Sequence, residues 1–386
     1  MDRRLVTFEY VNQDIPWKDD NSRLLIVPHH SFESLHRQRE HYLIDELAKS
    51  DEIHVVSWTD AETPTEFLDP QRFYRSLTSY VSRTNCLVHH IRRLNVPTSF
   101  PRRINEAFFQ SSLRRIVDKE DVDAVVIGPS AFKIGYPQEN LGVPILFDYS
   151  DYLFDRRQLA RYLGLSSTVL CVSRSLIDDV SGFEIERHYV PNGVDCQKFS
   201  KGCREATRAR YNIDADTVVI GLIGVTFGEH PFFLDASRFL SEKIGKFVFM
   251  VVGGGRRLNS LISYAREAKA PAVFTGWVPY ERIEDYFAAI DLGVYPADQN
   301  VYFDSAFPIK ILEYSAARKP VVSTDLKEVR NLGFQNVFLC QPNPQDFADK
   351  VEKGIHYQGE YPSLDQYSWS GIAKSAKEAI QSSLGT

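Results

Sequence analysis

The residues Asp304-Ser305-Ala306-Phe307-Pro308-Ile309-Lys310-Ile311-Leu312-Glu313-Tyr314-Ser315-Ala316-Ala317-Arg318-Lys319-Pro320-Val321-Val322 place a lysine and a glutamate one helical turn apart, just ahead of an apolar strand. Pro308 reads as the first residue of a helix, since its fixed φ suits that position and it lacks the N–H that would go unpaired there. The spacing from Lys310 to Glu313 sets an ammonium and a carboxylate on one face of the first turns. Unpaired N–H groups at a helix start draw anions, so this face suits a phosphate and a ribose. Pro320-Val321-Val322-Ser323-Thr324 reads as a short strand buried on both faces. The helix is then the crossover of a βαβ unit, and its start opens at the ligand-binding rim of a parallel sheet. The plainer reading is an exposed i,i+3 ion pair, worth only about 0.3–0.5 kcal/mol.

Working outward, apolar β-type runs alternate with helical patterns through most of the chain, which predicts α/β doubly wound sheets. Strands are expected at 24–27, 53–57, 124–128, 144–148, 168–172 and 187–190, with helices at 35–49, 102–119 and 174–180. In the second half strands are expected at 218–223, 247–253, 273–275, 292–295, 321–323 and 337–339. Helices are expected there at 237–244, 258–269, 283–289, 309–317 and 344–353. The polar stretch from Gly193 to Asp216 reads as a linker, with Asn192-Gly193 as its turn.

These residues resemble the nucleotide-sugar signature of glycosyltransferases with the two-domain GT-B fold, a Pro-x-Lys-x-x-Glu-Tyr helix start followed by Gly-x-Pro-Val-Val. Arg318 stands where that family usually has glycine. Val190-Pro191-Asn192-Gly193-Val194-Asp195 with Phe199 is similar to the family's interdomain segment, Phe274-Thr275-Gly276-Trp277-Val278 to its nucleoside strand, and Tyr367-Ser368-Trp369 to the start of its closing helix. The resemblance implies two Rossmann-like domains facing a cleft: 1–192 for the acceptor, 193–366 for the nucleotide sugar, and a terminal helix, 367–386, returning to the first.

Composition agrees with a globular two-domain protein. The 386 residues are 43% hydrophobic and 25% charged, with a formal net charge of −6. Such a length suits two cores. Cys86, Cys171, Cys196, Cys203 and Cys340 include no Cys-x-x-Cys pair, which argues against a disulfide framework or a zinc site. No apolar run approaches a membrane span and no h-region opens the chain, so a cytoplasmic protein is expected. Between Arg72 and Arg115 there are nine arginines and one acid, Glu106, interleaved with aromatic and aliphatic residues. The stretch reads either as a solvated helical face or as a surface for an anionic membrane or a lipid-linked pyrophosphate acceptor, which would place the protein peripherally on the membrane. Nothing else resembles a nucleic-acid module, so no nucleic-acid partner is expected.

Within the resemblance, Lys310 neutralises the donor pyrophosphate and Glu313 takes the ribose hydroxyls, with Ser305 and Ile309 near the phosphates. Gly253-Gly254-Gly255 ends a strand and precedes Arg256-Arg257. It reads either as close backbone approach to a ligand or as a tight turn. Glu229 and His230 belong to the loop expected to form the opposite lip. Trp277 and Val278 either cover the base or are core residues. Asp151, in Phe147-Asp148-Tyr149-Ser150-Asp151, is the candidate general base; Asp148 is the rival, and a helix N-cap is the structural alternative for either. His29, His30 and Arg37, with Arg39 and His41, are expected to face the acceptor.

Ser305 lies where retaining members carry a glutamate, eight residues before Glu313. With Ser150-Asp151, Phe227 to Phe233 and Tyr302 to Lys310, that missing glutamate makes the chain resemble the β-glucuronosyltransferases of bacterial exopolysaccharide assembly, xanthan-type. The expectation is inverting transfer from a UDP-sugar, UDP-glucuronate among the donors, to a lipid-linked or polysaccharide-precursor acceptor, without a required metal or cofactor. The alternatives are a retaining hexosyltransferase using a GDP- or UDP-hexose, and a catalytically silent nucleotide-sugar-binding partner protein.

Overall fold

The computed structural model describes residues 21–29, 32, 38–61, 65, 68, 80–81, 86–94, 100–129, 139–225 and 231–385. The chain divides into two compact units. The first comprises 1–171, 180–190 and 373–386, and the second 172–179 and 191–372.

The first unit is built on strands β1 (Arg23–Val27), β2 (Glu52–Ala61), β3 (Tyr80–Val81), β4 (Cys86–Leu94), β5 (Ala124–Ile127), β6 (Ile145–Tyr149), β7 (Thr168–Cys171) and β8 (Glu186–Tyr189). Their order is β3-β4-β2-β1-β5-β6-β7-β8. All pair in parallel except the two-residue β3, which runs antiparallel to β4. β6 is buried at every position, the mark of a parallel strand covered on both faces. The strand order reverses between β1 and β5, and in open α/β sheets ligands bind outside the carboxyl ends of strands at such a point.

β4 is absent from the sequence reading, which saw this stretch only as an arginine-rich face. Cys86, Val88, Ile91 and Leu94 are buried along with His89 and Arg92. The Asn105 side chain closes its end, donating to the Leu94 carbonyl at 3.0 Å and accepting from the Leu94 N–H at 2.8 Å. Arg92 is 6% exposed and therefore no part of a membrane-facing surface. Arg103, Arg114 and Arg115, on the Phe100–Glu120 helix, are exposed.

The second unit carries β9 (Val218–Ile223), β10 (Phe247–Val252), β11 (Ala272–Gly276), β12 (Leu292–Tyr295), β13 (Val321–Thr324) and β14 (Val337–Cys340). They form one parallel sheet in the order β11-β10-β9-β12-β13-β14, reversing between β9 and β12. Phe233, Phe249 and Phe347 anchor its core. The expected linker 193–216 is structured instead. It forms helices Cys196–Phe199 and Arg204–Arg210, and the buried Arg208 donates to the carbonyls of Ala289 and Thr217 and to Asp291. Its polar composition concealed an arginine whose hydrogen bonds all lie inside the second unit.

Candidate functional site

The helix of the opening stretch runs Ile309–Ala316, with Pro308 as its N-cap rather than its first residue. The Ile309 N–H donates to Phe307 and the Ile311 N–H to Pro308, so these two donors are engaged locally. The anion-binding capacity of this helix start thus rests more on the Lys310 ammonium than on its amides. Lys310 Nζ lies 2.6 Å from Glu313 Oε2. With the Glu313 side chain 8% exposed and that of Lys310 29%, this is a partly desolvated pair and not the exposed surface pair of the plainer reading.

Tyr314 fixes this helix to the sheet. Its hydroxyl accepts from the Ile223 N–H at 3.0 Å and donates to the Gly221 carbonyl at 3.0 Å. Its ring covers Gly293, where a Cβ would stand 2.4 Å from Tyr314 Cδ1. The motif tyrosine therefore positions Lys310 and Glu313 at the carboxyl ends of β9 and β12.

Three glycines complete the rim. Gly224 follows β9 at φ +143°, and a Cβ there would lie 2.9 Å from Lys310 Cε. Gly253 follows β10 at φ +114°, and its Cβ would lie 2.1 Å from the Gly224 carbonyl oxygen. Gly254 lies under Trp277, with its Cβ position 2.4 Å from the indole Nε1. Close packing, more than turn geometry alone, requires glycine here. Trp277 is 59% exposed, which removes the core-tryptophan reading, and Val278 beside it is half-buried. Arg256 is exposed, and Arg257 stands 3.8 Å from Asp298.

Ser305 is buried, and its carbonyl accepts from the Ser173 hydroxyl at 2.6 Å. Asp304 accepts from the Lys327 N–H at 2.9 Å, so its carboxylate serves the start of the Lys327–Leu332 helix beyond β13. Glu229 and His230 lie outside the described residues, as do His30 and Arg37.

In the first unit, Asp151 follows β6 and His29 follows β1. His29 Nε2 is 3.3 Å from Asp151 Oδ2, with the carboxylate side chain 37% exposed. Gly128, after β5, lets the His29 backbone pass close to it, since a Cβ there would be 2.8 Å from the His29 backbone nitrogen. The carboxyl ends of β1, β5 and β6 thus meet at the reversal of strand order. Asp148, the rival carboxylate, is held by Arg39 through contacts of 3.1 and 3.3 Å, and Arg39 also donates to the Val190 carbonyl at 2.7 Å. Arg39 is therefore a buried structural cation rather than an acceptor contact, and His41 is likewise buried, stacked on Phe32. Neither Asp148 nor Asp151 caps a helix: the cap of Arg156–Leu165 is Asp155. Sequence reasoning missed the roles of Tyr314 and Gly128; it singled out Gly253 and the loop beginning at Gly224, but not the contacts with the Gly224 carbonyl and Lys310 that require glycine there. The alternation of strand and glycine after β9, β10 and β5 was the available signal.

Residues 217–356 match the family described as Glycosyl transferases group 1, and residues 38–198 match Glycosyltransferase Family 4. Fold and domains together make the chain a GT-B glycosyltransferase of the family 4-like kind. It is 27% identical over 176 residues to TuaH of Bacillus subtilis (strain 168), provisionally described as a teichuronic acid biosynthesis glycosyltransferase. That match covers 45% of this chain and 43% of the relative's length. A glycosyltransferase of Rickettsia africae ESF-5 superposes with a TM-score of 0.66 at 15% identity, over 95% of this chain and 99% of that one. HepE of Anabaena, in complex with UDP, gives 0.61 at 15% identity over 94% and 95%. Sucrose-phosphate synthase of Thermosynechococcus elongatus gives 0.64 at 14% over 94% and 95%. At these identities the structures speak for the fold.

Proposed function

We propose that the protein transfers a sugar from a UDP-sugar to a lipid-linked or polysaccharide-precursor acceptor, with inversion at the anomeric carbon. The observation that carries this reading is the Lys310–Glu313 pair at the sheet reversal, beside Gly224 and Gly253 and flanked by the exposed Trp277. An ammonium meets the diphosphate, a carboxylate meets two vicinal ribose hydroxyls, and an indole offers a face to the base. The UDP held by HepE favours uridine, and the description of TuaH favours a cell-surface polysaccharide product.

In the mechanism, Asp151 accepts the acceptor hydroxyl proton with His29 orienting it, while Lys310 stabilises the departing nucleotide. Asp148 is already neutralised by Arg39, which leaves Asp151 as the stronger candidate of the two. Ser305 supports inversion, because the position where retaining enzymes carry a glutamate has no carboxylate here. A glucuronate donor would place its carboxylate toward Arg256. No helix among the described residues is long and apolar enough to cross a membrane, so a lipid-linked acceptor would be met at a surface, through the exposed arginines of Phe100–Glu120.

A thermal-shift panel of UDP-, GDP-, ADP- and TDP-sugars tests the donor. A ligand at 100 times its Kd adds about 2.7 kcal/mol of stability. The panel should rank UDP-sugars first, and a larger shift with a GDP-sugar would replace the donor assignment. The anomeric configuration of the product, read by NMR, separates inversion from retention, and turnover in EDTA tests the expectation that no metal is required.

A further inference from the structure

The amino-terminal edge of the second sheet, opposite the Lys310 rim, carries a depression of about 360 Å³. This lies within the range of about 300–1,000 Å³ usual for small-molecule sites. It opens before β9, β12 and β13 and is lined by Arg204, Arg318, Lys319, Tyr357 and Tyr361, together with Asp216 and Asp291.

The charges here are unevenly satisfied. Asp291 is taken by Arg204 at 2.5 Å, by Arg208 at 2.6 Å and by the Val219 N–H at 2.7 Å. Asp216 stands 3.4 Å from Lys246. Lys319, half-buried, reaches the Ala288 carbonyl at 3.3 Å, and burial with the nearby Arg204 lowers it to about 8. Arg318 holds a left-handed φ of +53°, a conformation that disfavours side chains bearing Cβ. Its guanidinium stands 5.0 Å over the Tyr361 ring. Tyr357 meets Tyr361 edge to face at 5.6 Å, which adds an aromatic wall. Two adjacent cations, one in a strained backbone and one held against desolvation, thus border a cavity whose Asp291 is already taken by two arginines, while the exposed Asp216 shares Lys246 with Asp214. Strained and desolvated groups tend to cluster at ligand sites, which makes this cavity a candidate for one.

We propose that this depression binds a sugar-sized phosphomonoester, with Arg318 and Lys319 on the phosphate and the Tyr357–Tyr361 wall against the carbon skeleton. It is a second site, separate from the donor rim and independent of the donor assignment. The Ile309–Ala316 helix begins at that rim and ends beside Arg318, so one rigid element borders both sites.

Calorimetric titration of the full chain with glucose 6-phosphate tests the proposal, with glucose and inorganic phosphate as comparison ligands. Wild type and Lys310→Ala should bind it saturably with equal affinity. Lys319→Met and Arg318→Gly should each bind at least about tenfold more weakly, the scale of one lost charge-assisted contact. Arg318→Gly relieves the left-handed backbone and keeps the test valid if Lys319→Met fails to fold. The absence of saturable heat up to about 10 mM would overturn the site. So would wild-type affinity in both cation variants, or loss of binding in Lys310→Ala, which would place the ligand at the donor rim. Inorganic phosphate binding as tightly as the sugar phosphate would overturn the role of the aromatic wall.

Discussion

The Lys310 ammonium and the Glu313 carboxylate, one turn apart on the Ile309–Ala316 helix, meet at 2.6 Å with Cε of the lysine packed beside Gly224. The pair is therefore held in place before any ligand arrives. A diphosphate bound there, as proposed, would have to share an ammonium already engaged by a buried carboxylate.

Lys310→Ala should weaken UDP binding by about 1.5–3 kcal/mol, the scale of a charge-assisted hydrogen bond. It should also lower the melting temperature, since Glu313 is left partly buried without its partner. Calorimetry with UDP checks the first effect, and unchanged affinity would remove the phosphate role of Lys310.

Asp151→Asn should reduce kcat by about 10²–10⁴ and spare UDP binding, because the amide keeps the shape and loses the basicity. Asp148→Asn should act on stability instead, by about 2–4 kcal/mol, because it strands the buried Arg39 guanidinium. Paired kinetics and urea melts tell the two apart. Equal loss of kcat in both variants, with unchanged melts, would sink the division of roles.

Gly254→Ala should displace the Trp277 indole and weaken UDP binding about five- to tenfold, with Trp277→Ala showing a similar loss and little change in stability, since the ring is 59% exposed. Full UDP affinity in Trp277→Ala would mean that the indole does not cover the base.

His89 accounts for a pH effect on folding. Burial, followed by the neighbouring His54, lowers it from 6.5 to about 4. The unfolded chain therefore binds the extra proton first. This contribution is complete above pH 6.5 and is lost as pH falls toward 4, amounting to about 2 kcal/mol between pH 7.5 and 5. His89→Gln should flatten the pH dependence of urea-measured stability across that interval. Identical slopes for the variant and wild type would contradict this account.

Replacing Arg103, Arg114 and Arg115 with serine should release the protein from anionic vesicles, since each arginine near such a surface contributes about 1 kcal/mol. Co-sedimentation in low and high salt provides the measurement. Vesicle binding that persists in the variant would move any membrane contact away from the Phe100–Glu120 helix.

The sequence by itself determined the parallel-sheet class, all six strands of the second unit and the Lys310–Glu313 helix. Each of these is written locally: a buried parallel strand is a run of adjacent apolar residues, and a helix face is a spacing of three or four. It did not reveal β4, because Arg92, Arg93, His89 and His90 broke the apolar run. Whether such residues are buried depends on what lies across the sheet, here His54 at 2.9 Å from His89. Nor did it distinguish Asp148 from Asp151. Both are aspartates at one strand end, and only the arrival of Arg39 from 109 residues away made one a structural ion, while His29 approached the other. Gly224 and Gly254 behaved in the same way: their positions were legible, but Lys310 and Trp277, the side chains that require them, come from elements distant in sequence. Local periodicity specifies elements, whereas burial, pairing and charge partnership are properties of residues distant in sequence, and tertiary structure alone brings those together.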